Sequence, residues 1–157
     1  MTSVAVRPAR FPRDAATVSA LVGSYLRQTE DEKAERGLAP ADVPLPDRYA
    51  REIADPAAVF ADRRVLLASV DDIDCGVVVV TPSATGTELS RFWTAPHVRG
   101  RGVGSALLGA ALDGAVRPVR LSVWEWRDAA LRLYRAAGFV AVPSWDDRPG
   151  LICLERS

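Results

Sequence analysis

One lysine, one histidine, one methionine and two cysteines are all of those residue types in 157 residues. Cys75 and Cys153 form no CxxC, so a disulfide scaffold is set aside and a reduced, cytoplasmic setting is expected. With His97 as the single histidine, a Cys/His metal site, a Cys-His nucleophilic pair and a Ser-His-Asp hydrolase all lack their parts. No metal is expected. The apolar run Gly76–Val80 is far short of the ~20 residues a membrane helix needs. The opening Met-Thr-Ser-Val-Ala-Val-Arg has no apolar h-region, so no secretory signal and no membrane partner are expected. Charge of one sign is also missing: 20 Lys+Arg balance 20 Asp+Glu. A nucleic-acid partner, which rests on a strong basic field, is therefore not expected.

The length suits one domain, here 1–157, able to bury roughly 70% of its unfolded surface. Ser3–Arg7 alternates as a short strand, and Asp14 is placed to cap a following helix. Val18, Leu21, Val22, Tyr25 and Leu26 form that helix's apolar stripe. Glu30–Pro46 reads as a long irregular segment, and Asp47–Ile53 as a short helix. The period then changes to two. Val65–Val70, Cys75–Thr81 and Glu88–Thr94, joined by short turns, read as an antiparallel meander. A small-residue helix, Gly102–Ala115, and a strand, Val119–Trp124, follow. Asp128 is placed to cap a last helix that Gly138 ends, before strands Phe139–Val142 and Leu151–Glu155. The order βααβββαβαββ describes an α/β fold with a mixed, mostly antiparallel sheet and helices on its faces.

Chemistry concentrates between Glu88–Thr94 and the next helix, in Val98-Arg99-Gly100-Arg101-Gly102-Val103-Gly104-Ser105. Glycines at alternate positions let backbone approach a ligand, and the helix start aims free amides into the loop. A pyrophosphate-like anion suits such a site. GxxxxGK[ST] fails for want of a lysine, and GxGxxG fails at its third glycine.

Arg99-x-x-Gly102-x-Gly104 resembles the pyrophosphate motif Gln/Arg-x-x-Gly-x-Gly/Ala of the GNAT superfamily of acyl-CoA N-acyltransferases. Downstream, residues 127–139 resemble that family's Asn-x-x-Ala-x-x-Leu-Tyr-x-x-x-Gly-Phe motif, with Arg127 in the place of the usual Asn. Trp93-Thr94-Ala95-Pro96 is similar to the strand end before the family's loop, and the element order is the family's order. The resemblance implies an acetyl-CoA-dependent N-acetyltransferase. It implies that the Arg99–Ser105 amides, with Gly100, Arg101, Gly102, Val103 and Gly104 between, hold the CoA pyrophosphate. It further implies that backbone near Trp93 and Thr94 lines the pantetheine arm, that Arg127 and Ala130 sit beside the cofactor, and that Tyr134 is the general acid.

An attacking amine must also lose a proton, since an alkyl ammonium has a pKa of about 10.4. Glu88 is the first candidate for the base, because alternation puts it on one face with Ser90, Phe92 and Thr94. Ser122, where relatives place a glutamate, cannot serve; Glu125 and solvent are the reserves. For the acceptor, Glu30, Asp31, Glu32 and Glu35 offer a carboxylate cluster for a cationic amine, but Lys33 and Arg36 interleave it as ordinary helix pairing would. Trp93, Trp124 and Trp126 are placed either to shape an acceptor pocket or to fill core. A small-molecule or amino-acid-like amine is the expected acceptor; a peptide N-terminus and a non-catalytic CoA-binding sensor are the alternatives. A homodimer lies within what the resemblance implies, although no residue specifies it.

Overall fold

A computed structural model describes residues 3–157. Its strands are β1 (Val4–Pro8), β2 (Arg64–Val70), β3 (Ile73–Ser83), β4 (Gly86–Thr94), β5 (Val119–Trp124), β6 (Val140–Ala141) and β7 (Leu151–Arg156). The helices are α1 (Ala15–Glu35), α2 (Asp47–Ala54), α3 (Pro56–Val59), α4 (Val103–Leu112) and α5 (Asp128–Ala136). One seven-stranded sheet runs β1-β2-β3-β4-β5-β7-β6. Every neighbouring pair is antiparallel except β4 and β5. The expected order therefore holds, with the single turn α3 added after Pro56.

The β-branched runs explain the centre of the sheet. Val77, Val78 and Val79 are fully buried because both faces of β3 are covered. Val77 lies on the α1 side, while Gly76 leaves room for Leu107 of α4 on the other. The β2–β3 hairpin closes through Asp71 and Asp72, both at positive φ, as the twist of a two-residue turn requires.

Several local expectations need correction. Helix α1 runs on to Glu35, so the irregular stretch begins only at Arg36. Propensity allowed this, since residues 30–35 are mostly strong helix formers. Asp14 flanks α1 but makes no capping bond. Its carboxylate accepts instead from the Arg7 guanidinium (2.8 and 3.1 Å) and the Arg10 amide (2.7 Å). Asp128 is the first helical residue of α5, with Arg127 in the flanking position, so it contributes charge at the helix start and not a cap.

Those bonds to Asp14 hold its carboxyl below the usual range, at about 2. A depressed folded-state pKa stabilises above the unfolded value and is lost as pH falls through the folded one. Asp14→Asn is therefore expected to lower Tm at neutral pH in thermal melts. The two melting temperatures should converge between pH 4 and 2.

Candidate active site

Strands β4 and β5 pair over only two rows, Thr87 with Val119 and Glu88 with Arg120. Beyond those rows they separate. The separation follows from a bulge in β4. Val79 faces Ser90, yet Val77 faces Trp93, so one extra residue is accommodated around Arg91. Arg91 sits there at φ 55, a left-handed conformation that a long side chain adopts only when its surroundings enforce it. The enforcing contact is plain. Its guanidinium donates to both oxygens of buried Glu52 on α2, at 2.6 and 2.7 Å, between the rings of Tyr25 and Tyr49.

The bulge corrects the face expected for Thr94, which alternation had placed with Glu88 and Ser90. The register puts Glu88, Ser90 and Trp93 on the α1 side, and sends Thr94, opposite Gly76, to the α4 side. An extra residue shifts strand alternation by one from that point on.

Two cavities open where the strands part. The first, about 590 Å³, lies between α1, α2, β4, β5 and the Trp145–Arg148 loop. Glu88, Ser122 and Tyr134 all line it. The second, about 680 Å³, lies between the end of β4, the glycine loop and α5. Trp93, Thr94, Arg99, Gly100, Gly102, Gly104 and Ser105 line that one. Phe92, Arg127 and Ala130 line both, so the cavities meet at the splay. Glu125 lines neither. Arg101 is exposed and outside the second cavity, and the Val103 side chain is core, leaving only its amide for a ligand.

The loop has the form of an anion cradle. Gly100 and Gly102 both sit at φ 82, where a side chain would be strained. The first intrahelical bond of α4 joins the Ala106 amide to the Gly102 carbonyl. The amides of Val103, Gly104 and Ser105 are thus left without intrahelical acceptors at the positive end of a ten-residue helix. Arg99 folds back over the loop, donating to the Thr94 carbonyl (3.0 Å) and to Gln28 (3.2 Å). Burial and the nearby Arg127 cation pull Arg99 below the ordinary guanidinium range.

Arg127, in the place of the family's Asn, is committed elsewhere. It donates to Glu32 (2.8 and 3.0 Å) and to Thr29 (2.8 Å), while Trp126 donates to the same Glu32 oxygen at 2.9 Å. Burial opposes ionisation of Glu32, but these donors outweigh it and hold its carboxyl low. Trp126 also stacks on Trp124 at 5.0 Å. The Trp126–Arg127 turn is therefore bolted to α1 across both cavities.

Tyr134 is buried on α5, edge-on to Phe92 at 5.7 Å and to Phe139 at 5.8 Å. Burial pushes its phenol well above the ordinary tyrosine range, only partly offset by Arg127. It keeps its proton throughout the neutral range.

The family model described as "Acetyltransferase (GNAT) domain" matches residues 61–141. The chain belongs to the GNAT acetyltransferase family. It is an acyltransferase, and its mixed, mostly antiparallel sheet with flanking helices is that of a GNAT fold. An acetyltransferase from Streptococcus agalactiae 2603 has TM-score 0.70 at 13% identity, over 98% of this chain and 97% of that one. One from Thermus thermophilus has TM-score 0.64 at 25% identity, over 98% and 96%. The yncA protein of Salmonella typhimurium, solved with its cofactor acetyl-CoA, has TM-score 0.65 at 15% identity, over 97% and 92%.

The conformation of the glycine loop, with Gly100 and Gly102 at positive φ just before α4, was legible in the sequence. Arg91, Glu52, Gln28 and Tyr49 were not. Arg91 meets Glu52 across 39 residues and Gln28 meets Arg99 across 71, and no local pattern signals such pairings.

Proposed function

We propose that the protein is an acetyl-CoA-dependent N-acetyltransferase acting on the primary amine of a small, amino-acid-like molecule. One observation carries the reading: the cavity of the anion cradle and a polar cavity meet at the β4–β5 splay, and Tyr134, edge-on to the shared Phe92, lines the polar one. The fit for acetyl-CoA is chemical. Free amides at Val103–Ser105 and the cation of Arg99 suit phosphate oxygens, and the Trp93–Thr94 end of β4 supplies backbone for an amide-rich arm. The acetyl-CoA bound to the Salmonella protein supports the same choice of donor.

In a ternary complex the amine nitrogen attacks the thioester carbonyl, forming a C–N bond as the C–S bond breaks. Tyr134 gives its proton to the leaving thiolate. A high phenol pKa is compatible with this role, because the thiolate loses water in the same cavity and its own proton affinity rises with it. Glu88, exposed on β4 and lining the acceptor cavity, takes the amine proton directly or through water. That Tyr134 and a carboxylate line one cavity favours catalysis over a CoA-binding sensor.

The test is thioester-dependent CoA release measured over a panel of amines, with Glu88→Gln beside the parent protein. Release that tracks added amine is expected. Glu88→Gln should lower the rate most at neutral pH and recover partly as pH rises and free amine becomes populated. No amine-dependent release would refute acetyl transfer, and a parental pH profile in the variant would pass the proton to solvent.

A further inference from the structure

The acceptor cavity holds an excess of positive charge. Lys33 is neutralised by Glu30 at 3.0 Å, Arg91 by Glu52 and Arg148 by Asp146 at 2.8 Å. Arg127, at the junction, is neutralised by Glu32. Three further guanidiniums on its wall, Arg48, Arg51 and Arg63, form no ion pair with any carboxylate of the described residues. Of the carboxylates that line the cavity, only Glu88 has no cationic partner among those residues. Attraction of a cation by the Glu30–Glu35 cluster, one of the two readings its pattern allowed, is thereby cancelled, since its inward-facing members are spent on Lys33 and Arg127.

The free arginines sit on the α2–α3 side, and Glu88 on the β4 floor. Arg48 is partly fixed: it stacks on the Tyr49 ring at 4.6 Å and donates to the Tyr49 hydroxyl at 2.6 Å. Its positive charge also reaches Asp146, on the loop that forms the opposite rim. Arg63 packs over Phe60 at 5.8 Å. A guanidinium braced on a ring keeps its fork of donors available for a planar or tetrahedral oxyanion. An ammonium-only acceptor would meet net repulsion in this cavity. An acceptor with an oxyanion would neutralise the arginines while its amine faced Glu88 and Tyr134.

We infer that the acceptor is an amine that also bears a carboxylate or phosphate, bound by Arg48, Arg51 and Arg63. This rests on the acetyltransferase reading above. Cavity size is consistent with it: about 590 Å³ takes an amino-acid-sized molecule.

The experiment uses matched amines: amino acids against their amides and decarboxylated amines, and phosphoethanolamine against ethanolamine. Turnover is read as CoA release, and binding by calorimetry on the CoA-saturated protein. The anionic member of a pair is expected to have a kcat/KM at least tenfold higher, mostly through KM. That preference should shrink several-fold in Arg48→Gln and Arg63→Gln, and collapse in the triple variant with Arg51→Gln. It should also weaken as salt rises. The amino-acid and phosphate arms separate the two oxyanions. Equal or better turnover of uncharged or cationic partners overturns the inference while leaving acetyl transfer standing, as does a preference that survives the triple variant. Tight, arginine-dependent binding of the anionic amine without turnover of any amine upholds the anion site and overturns acetyl transfer. Failure to bind or acetylate the anionic members overturns the inference.

Discussion

Tyr134→Phe should lower kcat by roughly 10²–10⁴-fold, the contribution of a positioned general acid, while the KM for acetyl-CoA moves little. The substitution removes one oxygen and leaves the ring. Both edge-on contacts, with Phe92 and Phe139, belong to that ring and survive. The phenol oxygen has no side-chain or backbone partner to lose among the described residues, so stability should barely change. This separates the two roles open to a buried tyrosine. A packing tyrosine would lose nothing with the hydroxyl, and a Phe variant with parental turnover would make Tyr134 core alone. A proton donor would lose its proton and keep its fold. Steady-state rates at saturating amine, with a thermal melt of each protein, decide between them.

What the sequence makes legible follows from the range of the interactions involved. Strand and helix periods are local, so the meander β2–β3–β4 and the stripe of α5 are visible within windows of a few residues. The glycine loop is legible for the same reason: Gly100 and Gly102 occupy positive φ, and α4 follows at once. The β4 bulge is not legible. Arg91 has no local reason to be left-handed, and what holds it is Glu52, 39 residues away on helix α2. Because the bulge reverses alternation, the face of Thr94 could not be read correctly, although those of Glu88 and Ser90 could.

Charge shows the same limit more sharply. Residues 30–36 read as an acidic cluster laced with cations, and at that level helix pairing and amine attraction look alike. Lys33 with Glu30 is indeed helix pairing. Glu32, however, reaches 94 and 95 residues away to Trp126 and Arg127. That one tertiary contact explains two things together: why the usual Asn can be an arginine here, and why the cluster supplies no free carboxylate to the cavity at that position. Arg127 is thus a positioning residue between α1 and α5, and in the proposed acetyl-CoA complex the phosphates fall to Arg99 and the loop amides.

The loop itself gives the second large effect. Gly104→Val should weaken acetyl-CoA binding at least tenfold in calorimetry, with the circular dichroism spectrum retained. A Cβ on Gly104 would stand 3.3 Å from Leu133 of α5 and 3.8 Å from Phe92. Both of those residues wall the second cavity, so the two methyl groups of valine would extend into the seam between α4, α5 and β4. Gly102→Val acts differently. Nothing lies within 4 Å of its Cβ, but at φ 82 a β-branched residue is strained by about 1–3 kcal/mol. The cheapest relief is to rotate the loop, and that rotation turns the Val103–Ser105 amides away from the anion. One variant fills space beside an intact cradle; the other leaves the space and spoils the cradle. Weakened binding in both is expected. Loss in Gly104→Val alone would place the ligand against α5 without the amides, and unchanged affinity in both would remove acetyl-CoA from this loop altogether.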